Sequence, residues 1–417
     1  MFVLVATPIV NAQDLIVKEI VFEGNKKTRE SVLRNEIVIT EGDTASPESV
    51  EASRQFIQDL ELFKSVETRT EDVDGGVRIV FTVREKRYWY IVPAFSRGSD
   101  GDIAYGARLQ MDNLLGRANV LSIRARRKDL KDTDIQSEDS LDIEYSYPRV
   151  FSSLFDLDMR FNLNEADIEE ERNGQEGQYF RDQTTIGISL ARWLTSKGPS
   201  KGWRGSVGFF IDDYDHTFLG GDPTLFFDTT VQALTGKLQY IDVTNHGFYR
   251  SGQEFTYSAM LAADSLGSDE SFARHTVQYK RFVPLKSRPG SNLNLRFTAG
   301  YTTDSIFGDA TFRVASGRTI RGFERDSIEG NAFYYGTVEY LAPLFNRETL
   351  RGVVFFDLGK AEDDVSDLDF SNLNYSIGLG MRWKIQSFVR TDIRIDIARG
   401  LTDDGETKVF AGTRATF

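Results

Sequence analysis

Ile320-Arg321-Gly322-Phe323 is the stretch on which the reading of this chain turns. By itself an Arg-Gly pair between regular elements is an ordinary solvated turn. Here it lies in a long segment, residues 304–330, between stretches that read as membrane-type strands. Gly330, Asn331, Glu339, Tyr340 and Pro343 follow at once, then Phe356-Asp357-Leu358-Gly359-Lys360, then Gly378, Gly380 and Arg382, then a terminal Phe417.

Outward from that stretch, helical periodicity is absent from Tyr88 to the end of the chain. Alternating segments separated by turn residues predict strands starting near 88, 102, 117, 138, 152, 178, 202, 228, 253, 270, 291, 331, 348, 370, 387 and 405. The even count returns the last strand to the side where the first began, and about ten residues per strand plus loops fits the span available. Connections alternate in kind. Short ones such as 113–117, 147–151, 195–201, 285–292 and 343–347 carry turn residues and basic side chains. Longer acidic ones are expected at 128–138, 164–178, 212–227 and 361–369. That alternation is the pattern of short periplasmic turns and longer external loops, and it puts 304–330 on the external side.

The bulk composition is compatible with such a barrel. The 417 residues are 40% hydrophobic and 27% charged, with negative mean hydropathy, and no window approaches the roughly 18 to 20 apolar residues of a membrane helix. A barrel that alternates apolar and polar residues never raises that average. The 31 Phe and 16 Tyr suit aromatic girdles, with an aromatic core as the plainer cause. A net charge of -13 offers no basic field for phosphates and argues against a nucleic-acid partner. With no cysteine, disulfides, thiolate metal sites and cysteine nucleophiles are excluded.

Residues 1–12 are expected to be a truncated signal peptide: Phe2 to Val10 is a short apolar run and Val10-Asn11-Ala12 offers a small residue for cleavage, although a basic start is missing. A disordered tail is the alternative. Residues 14–86 read as a small α+β module. Leu15, Val17, Ile20 and Phe22 form a strand that stops at Gly24-Asn25. Thr28 is expected to cap a helix carrying Val32, Leu33 and Ile37, and Ser46-Pro47 opens a second with Val50, Phe56, Ile57 and Leu60 on one face. Strands 64–73 and 77–85 follow, joined at Gly75-Gly76. This β-α-α-β-β order, with Phe22 to Asn25 and Val83-Arg84-Glu85, resembles one polypeptide-transport-associated (POTRA) domain. The resemblance implies capture of extended client segments by strand addition at an exposed edge.

Residues 15–417 as a whole resemble the outer-membrane assembly superfamily of BamA, TamA and the two-partner secretion transporters. The fold class implied is mainly β: a POTRA domain at 14–86, then a 16-stranded antiparallel transmembrane β-barrel at 88–417. In that family the long loop folds back into the lumen, and Arg321, Gly322 and Phe323 match its motif. Asp357 is then the expected acidic partner on the wall, Glu339 the strand glutamate, and Ser376, Gly378, Gly380 and Arg382 the glycine-spaced strand. A guanidinium inside a barrel must be paired, and its planar fork can grip one carboxylate while offering further donors. The glycines leave room for the loop tip.

The seam is the second expected site. Pro93 in the first strand cannot donate a ladder hydrogen bond and belongs at an edge or weakened seam, or marks a bend near the rim. The last strand carries Gly412 and ends at Phe417, which resembles the C-terminal signal of assembled barrels. A poorly zipped seam would open sideways to an incoming strand.

Catalysis finds no support. His216, His246 and His275 lack metal-ligand spacing, Asp212, Asp213 and Asp215 read as solvated loop carboxylates, and neither a metal nor a cofactor is expected. The reading is an outer-membrane protein that assists insertion of other barrels, with its POTRA domain in the periplasm. Expected partners are outer-membrane lipids, unfolded outer-membrane or secreted client polypeptides, and other assembly components. A two-partner-secretion exporter and a passive porin-like barrel are the rivals. The single POTRA domain departs from BamA-type proteins, which carry several.

Overall fold

Twenty-one strands and two α-helices are set out in the computed structural model, which describes residues 15–97, 103–129, 137–172, 175–194, 201–303, 311–389 and 392–413. The expected signal at 1–12, the turn at 195–200 and Phe417 lie outside the described residues.

The first module runs β1 (Val17–Glu23), α1 (Glu30–Arg34), α2 (Pro47–Asp59), β2 (Phe63–Val73) and β3 (Gly76–Glu85), with sheet order β1-β3-β2. Ser46 caps α2 as expected: its hydroxyl accepts the Ser49 N–H at 3.1 Å, with Pro47 in the first turn. Thr28 does not cap α1. Its hydroxyl donates to Glu85 Oε1 at 2.7 Å, lies 3.0 Å from the Tyr88 hydroxyl and accepts from Asn113 Nδ2 at 2.8 Å. The oxygen that would start a helix is instead committed to joining the module to the chain that follows. Helix α1 is accordingly short, its N-cap Arg29 makes no side-chain cap, and Ile37 falls beyond it.

Sixteen strands then form one antiparallel sheet in chain order. They are β4 (Trp89–Arg97), β5 (Ile103–Leu114), β6 (Asn119–Asp129), β7 (Ser137–Tyr147), β8 (Phe155–Arg172), β9 (Gln175–Trp193), β10 (Gly202–Gly221), β11 (Thr229–Asn245), β12 (Arg250–Ala262), β13 (Phe272–Pro284) and β14 (Asn292–Thr302). After a small ribbon of β15 (Phe312–Arg313) with β16 (Glu329–Gly330) come β17 (Ala332–Leu344), β18 (Arg347–Glu362), β19 (Asn374–Lys384), β20 (Asp392–Gly400) and β21 (Thr407–Thr413). β14 pairs directly with β17, so β15, β16 and the other described residues between them stand outside the barrel sheet.

Period-two alternation gives the barrel two chemically opposite faces. Ile397, Leu379 and Val354 are cross-strand neighbours on β20, β19 and β18 and are 52, 64 and 46% exposed. Their chain neighbours Asp396, Gly380 and Phe355 point to the interior. An exposed apolar row of this kind along the sheet is the surface that lipid covers.

Two stretches expected as external loops are strand. β8 and β9 stay paired from Glu165 with Asp182 to Arg172 with Gln175, and β10 continues to Gly221. The ladder hydrogen bonds persist through these parts although the simple period-two alternation of the sequence lapses there.

The N-terminal module sits against the rim where β4 begins, called here the near rim. Arg29 N–H donates to Gly116 O at 2.9 Å, Arg149 pairs with Glu36 at 3.2 Å, and Asn245 N–H donates to Asp59 Oδ1 at 2.9 Å. Three near-rim connections are thereby tied to it.

Candidate functional site: the inward loop and the sheet edges

From the far rim, residues 311–330 turn back into the barrel. Val314, Ala315, Ile320, Phe323 and Ile328 pack with Phe333 and Tyr335 of the wall, so the loop carries its own apolar core. Wall arginines hold its backbone: Arg274 donates to Thr311 O at 3.0 Å, Arg296 to Arg318 O and Arg394 to Gly317 O. Cationic donors are well suited to this, since a loop inside a wall has carbonyls that no ladder satisfies.

Arg321 stands at the tip and is fully buried. Its Nε and Nη2 donate to the two Asp357 oxygens at 2.7 and 2.8 Å, a bidentate fork, and its backbone N–H reaches the same carboxylate at 3.2 Å. Nη1 donates to Glu339 at 2.9 Å and to Asp396 at 3.2 Å. The guanidinium carbon lies 3.3 Å from the centre of the Phe355 ring, a cation–π contact at the base of the site. Ser376 Oγ donates to Asp357 at 3.2 Å, Arg382 bonds Glu339 at 3.2 Å and also Asp396, and Arg394 lies 3.1 Å from Asp396. Three arginines thus face three carboxylates out of water, which balances the charge at no net excess.

The glycines are explained by what a side chain would strike. Gly322 has φ +86°, a left-handed conformation that favours glycine, and a Cβ there would run into the Gly400 backbone. Its carbonyl accepts the Glu406 N–H at 2.8 Å. A Cβ on Gly378 would overlap the Phe355 ring, and one on Gly380 the Asp396 carboxylate. Phe323 is buried beside Gly400. The loop tip therefore touches β17, β18, β20 and the β20–β21 turn together.

Of the residues singled out from sequence, Arg321, Gly322, Phe323, Asp357, Glu339, Gly378 and Gly380 come together here. Asp396, Arg394 and the Phe355 ring had not been identified. The signal for Asp396 and Arg394 lies in the alternation Ile393-Arg394-Ile395-Asp396-Ile397, which places both charges on the face opposite the isoleucines.

Pro93 and Gly412 stand apart from this cluster, on β4 and β21, the two edges of the sheet. Among the described residues no ladder joins those strands. Tyr88 C=O accepts from Asp112 N–H on β5, whereas Arg87 N–H points the other way. Amide direction alternates along a strand, and Pro93 pairs with Ala107 in the same register. The N–H that proline lacks would thus have pointed out of the free edge, and its ring removes no bond from the β4–β5 ladder. Among the described residues no cluster of ligands suited to a metal ion occurs, and the three histidines lie apart on β10, β13 and the turn after β11.

Residues 113–410 match the Omp85 superfamily domain, and residues 15–86 match the POTRA family, described as a surface antigen variable number repeat. The outer membrane protein assembly factor BamA of Nitratidesulfovibrio vulgaris is 22% identical over 402 residues, covering 89% of this chain and 47% of that protein. That of Neorickettsia risticii is 23% identical over 443 residues, covering 96% and 54%. The chain thus spans about half the length of these relatives. Among solved structures, BamA from Haemophilus ducreyi lacking POTRA domains 1–3 aligns with TM-score 0.55 at 17% identity, covering 96% of this chain and 85% of that one. CdiB from Escherichia coli aligns with TM-score 0.67 at 15% identity, covering 95% and 76%. At these identities the likeness to solved structures establishes the fold.

Proposed function

Since this chain belongs to the Omp85 superfamily and is an outer-membrane β-barrel of that type, we propose that it assists assembly of other proteins into the outer membrane by strand addition at the edge of β4. The POTRA module faces the periplasm and receives unfolded client polypeptides, and no covalent chemistry is involved. One observation carries the reading: the first and last strands of the sheet share no ladder among the described residues, and Pro93 leaves a missing donor on the free edge. An unpaired edge is a template for an incoming strand. A lumen partly filled by the loop of Arg321, with a POTRA module against its near rim, favours a lateral route over passage through the barrel. The Arg321 cluster serves as a lock that fastens the loop to β17, β18 and β20 and so keeps the last hairpin in place while the seam works.

Depleting the protein and comparing the outer-membrane proteome tests this. Loss of many barrel proteins is the expected result. Loss of one secreted protein with barrels intact would instead make it an exporter, and an unchanged proteome would leave a passive barrel.

A further inference from the structure

The near-rim connection between β19 and β20 does something that neither lock nor seam requires. Arg87, just ahead of β4, donates its N–H to Ser387 O at 2.8 Å and accepts from Val389 N–H at 3.3 Å, forming a parallel bridge centred on Phe388. Tyr90 Oη donates to Val389 O at 3.3 Å, its ring meets Phe388 edge-on at 5.4 Å, and the Arg87 guanidinium lies 5.7 Å from the same ring. Val389 is fully buried and belongs, with Tyr88, to the hydrophobic core of the POTRA module. A barrel turn therefore contributes a side chain to the core of another domain.

The direction of these bonds gives them their meaning. Both backbone groups of Arg87 face away from β5, which is the side on which a strand added to β4 would lie. Ser387 to Val389 take that side first.

We propose that residues 387–389 form a clasp, a built-in strand segment that occupies the foot of the β4 edge and must leave before an extended client segment can pair along the whole edge. The binding site so assigned is the outward backbone of Arg87, continuing into Trp89 and Ile91, and its ligand is an extended polypeptide. Because Val389 is held in the POTRA core, displacement of that module draws the clasp away from Arg87, which couples client arrival at the POTRA module to access at the seam. This inference rests on the strand-addition reading above.

The chain has no cysteine, so a disulfide across bridge partners, whose spacing suits one, can shut the clasp reversibly. The R87C/F388C protein in phosphatidylethanolamine–phosphatidylglycerol liposomes is given a urea-unfolded eight-stranded barrel protein as probe, oxidised and then reduced. Folded probe is expected to form at least about tenfold more slowly with the oxidised protein and to recover on reduction. Equal rates in the two states would overturn the clasp. If the wild-type protein accelerates nothing, it is the assembly reading that fails, and the clasp is judged by hydrogen exchange of the Val389 amide. Oxidation should slow that exchange about tenfold or more, and identical exchange in both states would refute an opening clasp.

Discussion

Replacing Arg321 by Ala removes one of three positive charges that face three buried carboxylates, Asp357, Glu339 and Asp396. What remains is one uncompensated negative charge out of water. Breaking a buried pair from one side costs about 3–5 kcal/mol. At about 1.4 kcal/mol per factor of ten, the population with the loop unseated rises between roughly a hundredfold and a few thousandfold. The double variant R321M/D357N removes one charge of each sign and keeps the site filled, so its cost should fall below about 2 kcal/mol. Ala315 is fully buried in the seated loop, and in a chain without cysteine an A315C substitution gives a single reporter. Its reaction with a small methanethiosulfonate reagent measures unseating directly. R321A should speed modification by the factor above, R321M/D357N far less. Modification in R321A within about threefold of the A315C parent, or faster modification in the double variant than in R321A, would refute the charge-balance argument.

Other substitutions separate the remaining contacts. Gly322→Ala places a side chain in the left-handed region against Gly400 and should lower stability by at least about 1–3 kcal/mol, whereas Gly412→Ala, with nothing within 4 Å of the added atom, should change it by less than about 0.5 kcal/mol; thermal unfolding in detergent compares the two. Pro93→Ala restores a donor on the free edge and should slow hydrogen exchange along Trp89–Arg97 and reduce client assembly; unchanged exchange would remove Pro93 from the account of the seam. Burial raises the pKa of Asp59, with the Asn245 N–H and Gln55 bonds pulling the other way. A carboxyl raised in the folded state binds more protons there than when unfolded, so its contribution is full below the ordinary value of about 3.9 and is lost as pH rises through the folded value. POTRA unfolding should therefore show a stability component that declines with rising pH and that Asp59→Asn abolishes; an unaltered pH profile in that variant would exclude Asp59 as its source.

Much of the barrel was legible from residues 88 onward because strand alternation is a property of near neighbours in the chain, and an apolar outer face with a polar inner one imposes it strand by strand. The exceptions have the same cause. Local alternation lapses within 164–178 and 212–227, yet the ladders run on to Arg172 with Gln175 and to Gly221 with Gly177. Thr28 carried the local pattern of a helix cap, but Glu85 and Tyr88 claim its hydroxyl from nearly sixty residues away.

Sequence alone therefore determined the number of barrel strands, the far-rim position of the long loop and the resemblance through which Arg321 was set against Asp357. Only the tertiary structure brought Asp396 into the same cluster, turned the amide of position 93 toward the free edge and laid Ser387 to Val389 on Arg87. The first set follows from periodicities and short motifs written along the chain. The second depends on which strands become neighbours when the sheet curls, and on which backbone groups that curling leaves without a ladder.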